Sequence, residues 1–320
     1  MTSTGRAVLA QGPGGVRLVG TSLPRVPGRF EVAVRMRYAP INPADLLVID
    51  GRYAQKTDPL TPLGAEGVGE VDQVGAGITD LTRGQLVLPL TRGNWREHRT
   101  LAREDLAPLP ADLPVLPAQA AMLHINPATA LLLLDAAGAR SGEVIVQNGA
   151  ASAVAGWVRW IAARRGVTVL DVVRGETPAL PEAILDGPDL AVRLRRAAGG
   201  RQITAGLDCV AGEVSGRIAE ALSPRARLII FGHLSGQPVT IASEVFTGSR
   251  LGVTGFSLRP AEAELGPAGV DRLFAQLFDW LRAEPPALPD PVIMPLSCID
   301  EAIAVARARS HPRVVLDLAA

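Results

Sequence analysis

The sequence predicts an α/β protein in which a doubly wound parallel sheet domain is joined to a β-rich, partly closed barrel domain. The chain has 320 residues, more than one hydrophobic core usually supports, so two domains are expected. In the first third, short β-type runs are separated by glycine and proline at 16–19, 31–38, 67–74 and 85–88. Beyond residue 118, apolar strands alternate with helical stretches, which is typical of a parallel sheet covered by helices.

The second part of the chain has a regular order of predicted elements. Ala and Leu dominate 118–137, which predicts one or two buried helices. Strands are predicted at 144–147, 167–173, 206–210 and 227–231, with helices at 153–165 and 214–222. The C-terminal part predicts helices at 270–282 and 299–309, a loop at 285–291 and a strand at 313–318. Segment 105–117 is predicted as a connector, and the turn-rich segment 176–189 has room for a shortened helix.

Composition argues against several classes of protein. The 32 basic and 32 acidic residues balance, so no net charge attracts nucleic acid or an anionic membrane. Lys56 is the only lysine, and the two cysteines, Cys209 and Cys298, have no metal-ligand spacing. No segment has the apolar length to span a bilayer, and the N-terminus lacks the apolar core of a signal peptide. The cytoplasm is therefore the expected location.

The turn after the predicted strand 144–147 has the composition of a phosphate-binding turn. Small residues at 149–152 let the backbone approach phosphate oxygens, and the first N–H groups of the following helix can donate to them. Ala153 and Ala155 stand where the glycine fingerprint would place glycine. Two interpretations follow: a dinucleotide pyrophosphate site, or the tight helix–strand packing of any α/β protein.

The residue after the second strand of this domain indicates the cofactor. That strand ends at Val173 and is followed by Arg174, which suits the 2′-phosphate of NADPH, whereas an acid would suit the ribose of NADH. Asp171 lies three residues too early to be that acid. A solvated loop arginine is the plain alternative for Arg174, and Glu176 argues against a phosphate site, so NADH is the second candidate.

Several segments in order resemble the medium-chain dehydrogenase/reductase superfamily. Within it the chain is most similar to zinc-independent enoyl thioester reductases of the mitochondrial 2-enoyl reductase type, and next to quinone oxidoreductases. The segments that resemble it are 41–45, 51–53, 64–69, 93–96, 124–130, 146–148, 172–174 and 207–212. The resemblance implies a GroES-like catalytic domain of residues 1–120 and 290–320 and a Rossmann-type nucleotide-binding domain of residues 121–289.

The resemblance also predicts that no metal is bound. Zinc members of the superfamily have a cysteine in the segment matching 42–45 and a histidine before the glutamate of segment 64–69. Here no cysteine occurs in the first segment, and Ala65 stands where the histidine would be. The four-cysteine lobe is also absent, because residues 89–95 run straight through that region.

The enoyl reductase pattern implies three catalytic candidates. Reduction of an enoyl thioester needs a proton donor and a group that stabilises negative charge on the thioester oxygen. Tyr53 matches the family's tyrosine, and a phenol with a pKa of about 10 stays protonated at neutral pH; on position alone, a surface-loop aromatic is the alternative. Asn42 and Trp95 are candidates for shaping the substrate pocket, with a turn-capping asparagine and a core tryptophan as their alternatives.

The same resemblance implies a set of cofactor-binding residues. They lie in the nucleotide turn, at the ends of the later strands and near the C-terminus: Asn126, Ala151, Ser152, Ala153, Val154, Arg174, Phe231, Gly232, His233, Leu234, Phe256, Ser257, Leu258 and Arg313. His233 replaces a small residue of the family, and Glu176 stands where a second arginine is expected.

Three functions are compatible with these residues. The first is an NADPH-dependent 2-enoyl thioester reductase acting on CoA or acyl carrier protein thioesters with Tyr53 as the proton donor. The second is a quinone or enone reductase of the same superfamily. The third is a catalytically inactive nucleotide-binding or interaction protein, which the alanines of the turn favour. A homodimer formed through an edge strand near 251–256 is also expected.

Overall fold

The computed structural model describes residues 4–23, 25–52, 58, 60–308 and 313–320. The chain divides into two compact units, the first comprising Met1–Ile125 and Pro267–Ala320 and the second Asn126–Gly266. The second unit ends at Gly266, whereas the predicted nucleotide-binding domain ends at residue 289. The division of the chain into a catalytic and a nucleotide-binding domain stays a prediction.

The first unit begins with short strands and two helices. In chain order these are β1 (Thr4–Ala10), β2 (Val16–Ser22), β3 (Glu31–Pro40), α1 (Pro43–Ile49), β4 (Val68–Val74), β5 (Leu86–Pro89), β6 (His98–Ala102), a 3-10 turn (Arg103–Asp105), β7 (Leu106–Pro108) and α2 (Pro117–Ala120).

The chain then alternates between helices and strands. The elements are α3 (Ile125–Ala137), β8 (Val144–Gln147), α4 (Ala153–Arg164), β9 (Thr168–Val173), β10 (Ile184–Leu185), α5 (Leu190–Ala197), β11 (Ile203–Asp208), α6 (Glu213–Ala221), β12 (Arg227–Ile230), α7 (Ser243–Ser249), β13 (Gly252–Gly255) and α8 (Leu258–Ala283). The last four are β14 (Val292–Pro295), a 3-10 turn (Leu296–Cys298), α9 (Ile299–Arg307) and β15 (Val314–Asp317).

The first unit is built on a mostly antiparallel sheet. Among the described residues its strands have the order β14-β15-β3-β4-β5-β7, with β6 paired to β3, and β1 and β2 form a separate hairpin. The long strand β3 pairs with β4, β6 and β15, so it lies at the centre of this sheet. Its core side chains Val32 and Met36 are fully buried with Trp95 in one apolar cluster. This is the β-rich domain that the glycine-punctuated runs predict.

The second unit contains a parallel sheet, in the described residues of the order β10-β9-β8-β11-β12-β13. Every pairing in it is parallel, so crossover connections join successive strands, and most of these contain a helix. Successive residues of β8 and β11 are buried, so both faces of the sheet are covered. The buried run of β8 and the nearly continuous apolar surface of α3 follow from this double coverage. The order is that of a Rossmann-type doubly wound sheet, and the predicted fold class is confirmed.

Several segments differ from the sequence-based predictions, and the helices α1, α5 and α7 have no predicted counterpart. The connector 105–117 contains the strand β7, which is too short to produce a recognisable pattern. Segment 176–189 contains the two-residue strand β10 instead of a shortened helix. The helix predicted at 270–282 begins earlier, because two helical stretches meet in α8 at Gly266, whose φ of +65° interrupts the helix before Pro267.

No helix in the described part of the chain is both long and apolar enough to cross a membrane.

A methyl group at Gly206 in β11 has no free space. It would lie 2.8 Å from Cδ1 of Leu228 and 3.0 Å from Cγ2 of Ile218, and both of these side chains are fully buried. We therefore expect Gly206→Ala to lower the free energy of unfolding by about 1–3 kcal/mol through overpacking. The matched control is Gly248→Ala in α7, where no atom beyond the local helix backbone and the adjacent residues lies within 4 Å of the added methyl group. That helical substitution should be neutral or stabilising by up to about 1 kcal/mol. Equal urea midpoints for the two variants would contradict the packing described here.

Candidate functional site

Apart from Asn126, the predicted cofactor residues of the second unit follow strands that end at one edge of its sheet. Because all the strands are parallel, the segments that follow β8, β9, β11, β12 and β13 emerge from the same, carboxyl edge. The strand order reverses between β8 and β11, and such a reversal leaves a crevice that binds ligands in open α/β sheets. The turn after β8 therefore lies at the position where a dinucleotide would bind.

The turn after β8 retains the geometry of a phosphate-binding turn despite its alanines. Gly149 has a φ of +58°, and a methyl group there would overlap Sγ of Cys209, so glycine is required. Ser152 is the N-cap of α4 and accepts a hydrogen bond from the Ala155 N–H at 3.2 Å. The first N–H groups of a helix have no intrahelical acceptor and attract anions. Ala151 and Ala153 are exposed and Ser152 and Val154 are half-buried, which is compatible with the predicted pyrophosphate site.

The acid closest to the end of β9 is already bonded within the unit. The Asp171 carboxylate accepts a hydrogen bond from Nε2 of Gln147 at 2.7 Å and lies 3.1 Å from Nη1 of Arg159. The same Arg159 nitrogen donates to the Ala150 carbonyl of the turn at 2.9 Å. Arg174 and Glu176 are both exposed, and within the described ranges the Arg174 side chain has no hydrogen-bond or ion-pair partner.

The segment after β12 packs against the segment after β11. A methyl group at Gly232 would lie 2.5 Å from the Cys209 carbonyl oxygen, so the two backbones are in close contact. The Leu234 N–H donates to this carbonyl at 3.1 Å. Phe231 is half-buried, whereas His233 and Leu234 are exposed.

The remaining predicted cofactor residues lie in three places. After β13, the Phe256 N–H donates to Ile230 O at 2.8 Å, and Ser257 and Leu258 follow at the start of α8. Asn126 is buried in the first turn of α3. Arg313 belongs to the first unit, where it contacts Asn42.

The sequence prediction missed Asp208, which connects two of these segments. Asp208 is fully buried at the end of β11, and its Oδ1 accepts a hydrogen bond from Nδ2 of Asn148 at 2.6 Å. The Cys209 N–H donates back to Oδ1 of Asn148 at 2.8 Å. A lone acid closing an apolar strand is a signal that could have revealed it, since such a residue must find donors.

In the first unit, Asn42 belongs to a buried polar network. Its Nδ2 donates to Oε1 of Glu66 at 3.0 Å, and its Oδ1 accepts from Nη1 of Arg313 at 2.7 Å. Glu66 is fully buried, and its Oε2 accepts from the Ile125 N–H at 2.8 Å. Burial raises the pKa of Glu66, whereas the Ile125 N–H and the nearby His124 oppose that rise. The network fixes which end of the Asn42 amide is the donor, and Glu66 is a second residue that the prediction missed.

Asp45 is a second buried carboxyl group in this region. Its Oδ2 accepts a hydrogen bond from the Asn42 N–H at 2.9 Å, and Oδ1 lies 3.9 Å from Nη1 of Arg92. Burial raises the pKa of Asp45 to about 7, and the Asn42 N–H and Arg92 do not compensate for it. Asp45 is therefore partly protonated near neutral pH.

Of the two aromatic residues predicted to act in catalysis, the structure describes only Trp95. Trp95 is fully buried, its indole N–H donates to the Pro40 carbonyl at 3.1 Å, and Gly64 packs against its ring. These contacts agree with the alternative of a core tryptophan, and a role in catalysis stays a prediction. Tyr53 lies outside the described residues.

Among the described residues, no three His, Cys, Asp or Glu side chains are arranged to hold a metal ion. Ala65, at the position of the zinc-ligand histidine, is buried beside Glu66. Independence from zinc stays a prediction.

Comparisons with known proteins identify the class to which this fold belongs. Residues 28–110 match the alcohol dehydrogenase GroES-like domain. The mitochondrial enoyl-[acyl-carrier-protein] reductase of Dictyostelium discoideum is 30% identical over 281 residues, which is 79% of this chain and 76% of that protein. The chain therefore belongs to the medium-chain dehydrogenase/reductase superfamily, a group of oxidoreductases. Within it, the chain belongs to the family of these enoyl reductases, which confirms the resemblance.

Solved structures show the same fold over nearly the whole chain. A putative NADPH:quinone reductase from Bacillus thuringiensis superposes with a TM-score of 0.89 at 23% identity and covers 98% of this chain and 99% of its own. The mitochondrial 2-enoyl thioester reductase heterodimer from Candida tropicalis has a TM-score of 0.83 at 22% identity, with 98% and 100% covered.

The raised pKa of Asp45 predicts an unusual pH dependence of stability. Between the ordinary pKa of 3.8 and the folded value of about 7, the folded protein holds a proton that the unfolded chain has released. The free energy of unfolding should therefore fall as pH rises through this window. Asp45→Asn removes this titration. From pH 5 to pH 7 its free energy of unfolding should therefore fall by about 2 kcal/mol less than that of the wild type, at about 1.4 kcal/mol per pKa unit.

The control for this experiment is Asp50→Asn at the other end of α1. Arg307 holds the pKa of Asp50 below its usual range. The stabilisation that Asp50 contributes to the folded state is therefore lost only at a pH well below 5. Urea unfolding from pH 5 to 7 should therefore give Asp50→Asn the wild-type slope. Parallel slopes for Asp45→Asn and the wild type would show that Asp45 does not titrate in this range.

Proposed function

We propose that the protein is an NADPH-dependent reductase of 2-enoyl thioesters, carried by CoA or an acyl carrier protein. Its membership of the enoyl reductase family is the observation that supports this most strongly. The proposed cytoplasmic location rests on the sequence alone.

The choice of NADPH is supported by the charges at the end of β9. Asp171 is paired with Arg159 and bonded to Gln147, so it has little capacity left to accept from a ribose hydroxyl. Arg174 is exposed and unpaired within the described ranges, and a guanidinium suits a 2′-phosphate. NADH is the alternative cofactor, because the acidic Glu176 lies two residues further along.

The proposed reaction saturates the α,β double bond of the substrate. When bound, NADPH supplies the hydride that forms the new C–H bond at the β-carbon. The π electrons of the double bond move towards the thioester carbonyl, so negative charge is shared between the α-carbon and the oxygen. The Tyr53 phenol is proposed to stabilise that oxygen and to donate the proton that forms the new C–H bond at the α-carbon. Water then restores the phenol proton.

Asn42 is proposed to orient the substrate carbonyl or shape the pocket beside it. Glu66 and Arg313 hold its amide from both ends, so the group is pre-organised and needs no reorientation when substrate binds. Trp95 is proposed to contribute by packing beneath Gly64.

We also propose a homodimer formed through β13. This strand is the edge of its sheet, it pairs with β12, and all four of its residues are exposed. An unpaired strand edge favours pairing with a second copy of the chain.

Removal of the Tyr53 hydroxyl tests the proton donor. Tyr53→Phe should lower kcat with a medium-chain enoyl-CoA at least tenfold and leave the KM for NADPH unchanged, because only the transition state loses the donor. Tyr38→Phe, in β3, is the matched control and should retain the wild-type rate. Equal rates for the two variants would remove Tyr53 from the mechanism. A wild type that reduces quinones or enones but no enoyl thioester would support the alternative quinone reductase.

Neutralisation of Arg174 tests the cofactor preference. Arg174→Ser should raise the KM for NADPH at least tenfold and leave the KM for NADH unchanged, since only NADPH has a 2′-phosphate. Arg140→Ser, an exposed arginine before β8 and therefore at the opposite edge of the sheet, should change neither constant. Similar changes with both cofactors would contradict a contact with the 2′-phosphate.

A further inference from the structure

We infer that Asp208 is the positioning residue of the cofactor crevice, which it shapes through Asn148 without contacting the cofactor. This inference rests on the proposed binding of a nicotinamide dinucleotide. The observation behind it is that one buried carboxylate accepts from Asn148, before the predicted pyrophosphate turn, and from the loop after β11, which contacts the predicted cofactor segment 231–234.

The carboxylate of Asp208 is satisfied by neutral donors. Oδ1 accepts from Nδ2 of Asn148 at 2.6 Å and from the N–H groups of Val210 and Ala211, each at 2.9 Å. Oδ2 accepts from the Ser215 hydroxyl of α6. In the described part of the chain, Asp208 forms no ion pair, so its charge is stabilised by these four donors. Hydrogen bonds to an ionised acceptor are short and strong, which makes the geometry of the four donors rigid.

Asn148 uses both ends of its amide in this arrangement. Its Nδ2 donates to Asp208, its Oδ1 accepts from the Cys209 N–H at 2.8 Å, and its own N–H donates to Leu207 O at 3.1 Å. Only a side chain with a donor and an acceptor can make the first two bonds together. Asn148 thereby fixes the start of the turn after β8 against the end of β11.

The same contacts stabilise unfavourable backbone conformations. Ala211 has a φ of +62°, which for a residue other than glycine costs on the order of 1 kcal/mol or more, and Gly212 follows with a φ of +81°. The bond from the Ala211 N–H to Asp208 holds this conformation. On the other side, Gly149 packs directly against the Cys209 side chain, so the position of the turn follows that of Cys209.

A third segment takes its position from the same loop. The Cys209 carbonyl accepts from the Leu234 N–H at 3.1 Å, and the Val210 carbonyl accepts from the Ser235 N–H at 2.9 Å. Gly232 is in contact with the backbone of Cys209. Asp208 therefore determines the separation between the turn that would hold the pyrophosphate and the segment 231–234.

Two single substitutions separate positioning from simple stabilisation. Asn148→Ala and Ser215→Ala each remove one side-chain donor to Asp208, but only Asn148 connects it to the turn after β8. Both should lower Tm by several degrees. Only Asn148→Ala should weaken NADPH binding, measured by calorimetry, by at least tenfold, which corresponds to about 1.4 kcal/mol. Asp208→Asn keeps an oxygen that can accept from the three groups that donate to Oδ1. Its affinity for NADPH should therefore stay within about threefold of the wild-type affinity.

Hydrogen exchange of the free protein gives a readout that needs no cofactor. Exchange in residues 149–152 should become at least tenfold faster in Asn148→Ala and stay at the wild-type rate in Ser215→Ala. Equal effects of the two variants on NADPH affinity and on exchange, or no effect of either, would overturn the inference. A wild type that binds neither NADPH nor NADH would overturn the proposed function instead, while the exchange rates would still decide whether the contact between Asn148 and Asp208 orders the turn.

Discussion

A carboxylate removed from water costs several kcal/mol unless N–H and O–H donors replace the lost solvent. Glu66 and Asp208 are both fully buried, and each obtains its donors from segments far apart in the sequence. Glu66 accepts from Asn42 and from the Ile125 N–H, and Asp208 accepts from Asn148 and from the loop that follows it. This requirement holds segments in place with a precision that apolar packing alone would not impose, because hydrogen bonds are directional. In the first unit the predicted residue Asn42 contacts Glu66, and in the second unit Asn148, which precedes the predicted pyrophosphate turn, contacts Asp208.

The distribution of acidic groups also determines what the carboxyl edge of the parallel sheet can bind. Asp171 and Asp208 both lie near this edge, yet both are bonded within the unit. The first turn of α4 faces solvent there, and so do the guanidinium of Arg174, unpaired within the described ranges, and the carboxyl group of Glu176. In the first unit, the Asn42 N–H and Arg92 do not offset the burial of Asp45, and this burial raises its pKa.

Local patterns predicted β8, α4 and β12 of the second unit to within one residue, but did not predict α5 or α7. The strand 144–147 appears unchanged as β8, and the helix predicted at 153–165 is α4, one residue shorter. Both are buried elements whose apolar spacing is set by the sheet. Elements without such spacing were missed: β7 has three residues, and the first stretch of α8 contains Pro260 and ends at Gly266. These segments take their structure from neighbours that no local pattern reveals.

The sequence by itself determined the two-domain α/β architecture, the turn of small residues after β8 and the arginine after β9, because each of these depends on residues adjacent in the chain. Only the tertiary structure decided what the polar side chains do. Asn42 is held between Glu66 and Arg313, Trp95 is enclosed in the core, and Asp208 joins Asn148, which lies 60 residues earlier. Sequence periodicity indicates whether a side chain is buried. The hydrogen-bond partner of a buried polar group depends on which distant segments lie next to each other in the fold. The adjacency of these segments in the tertiary structure places the donors and acceptors of the candidate site.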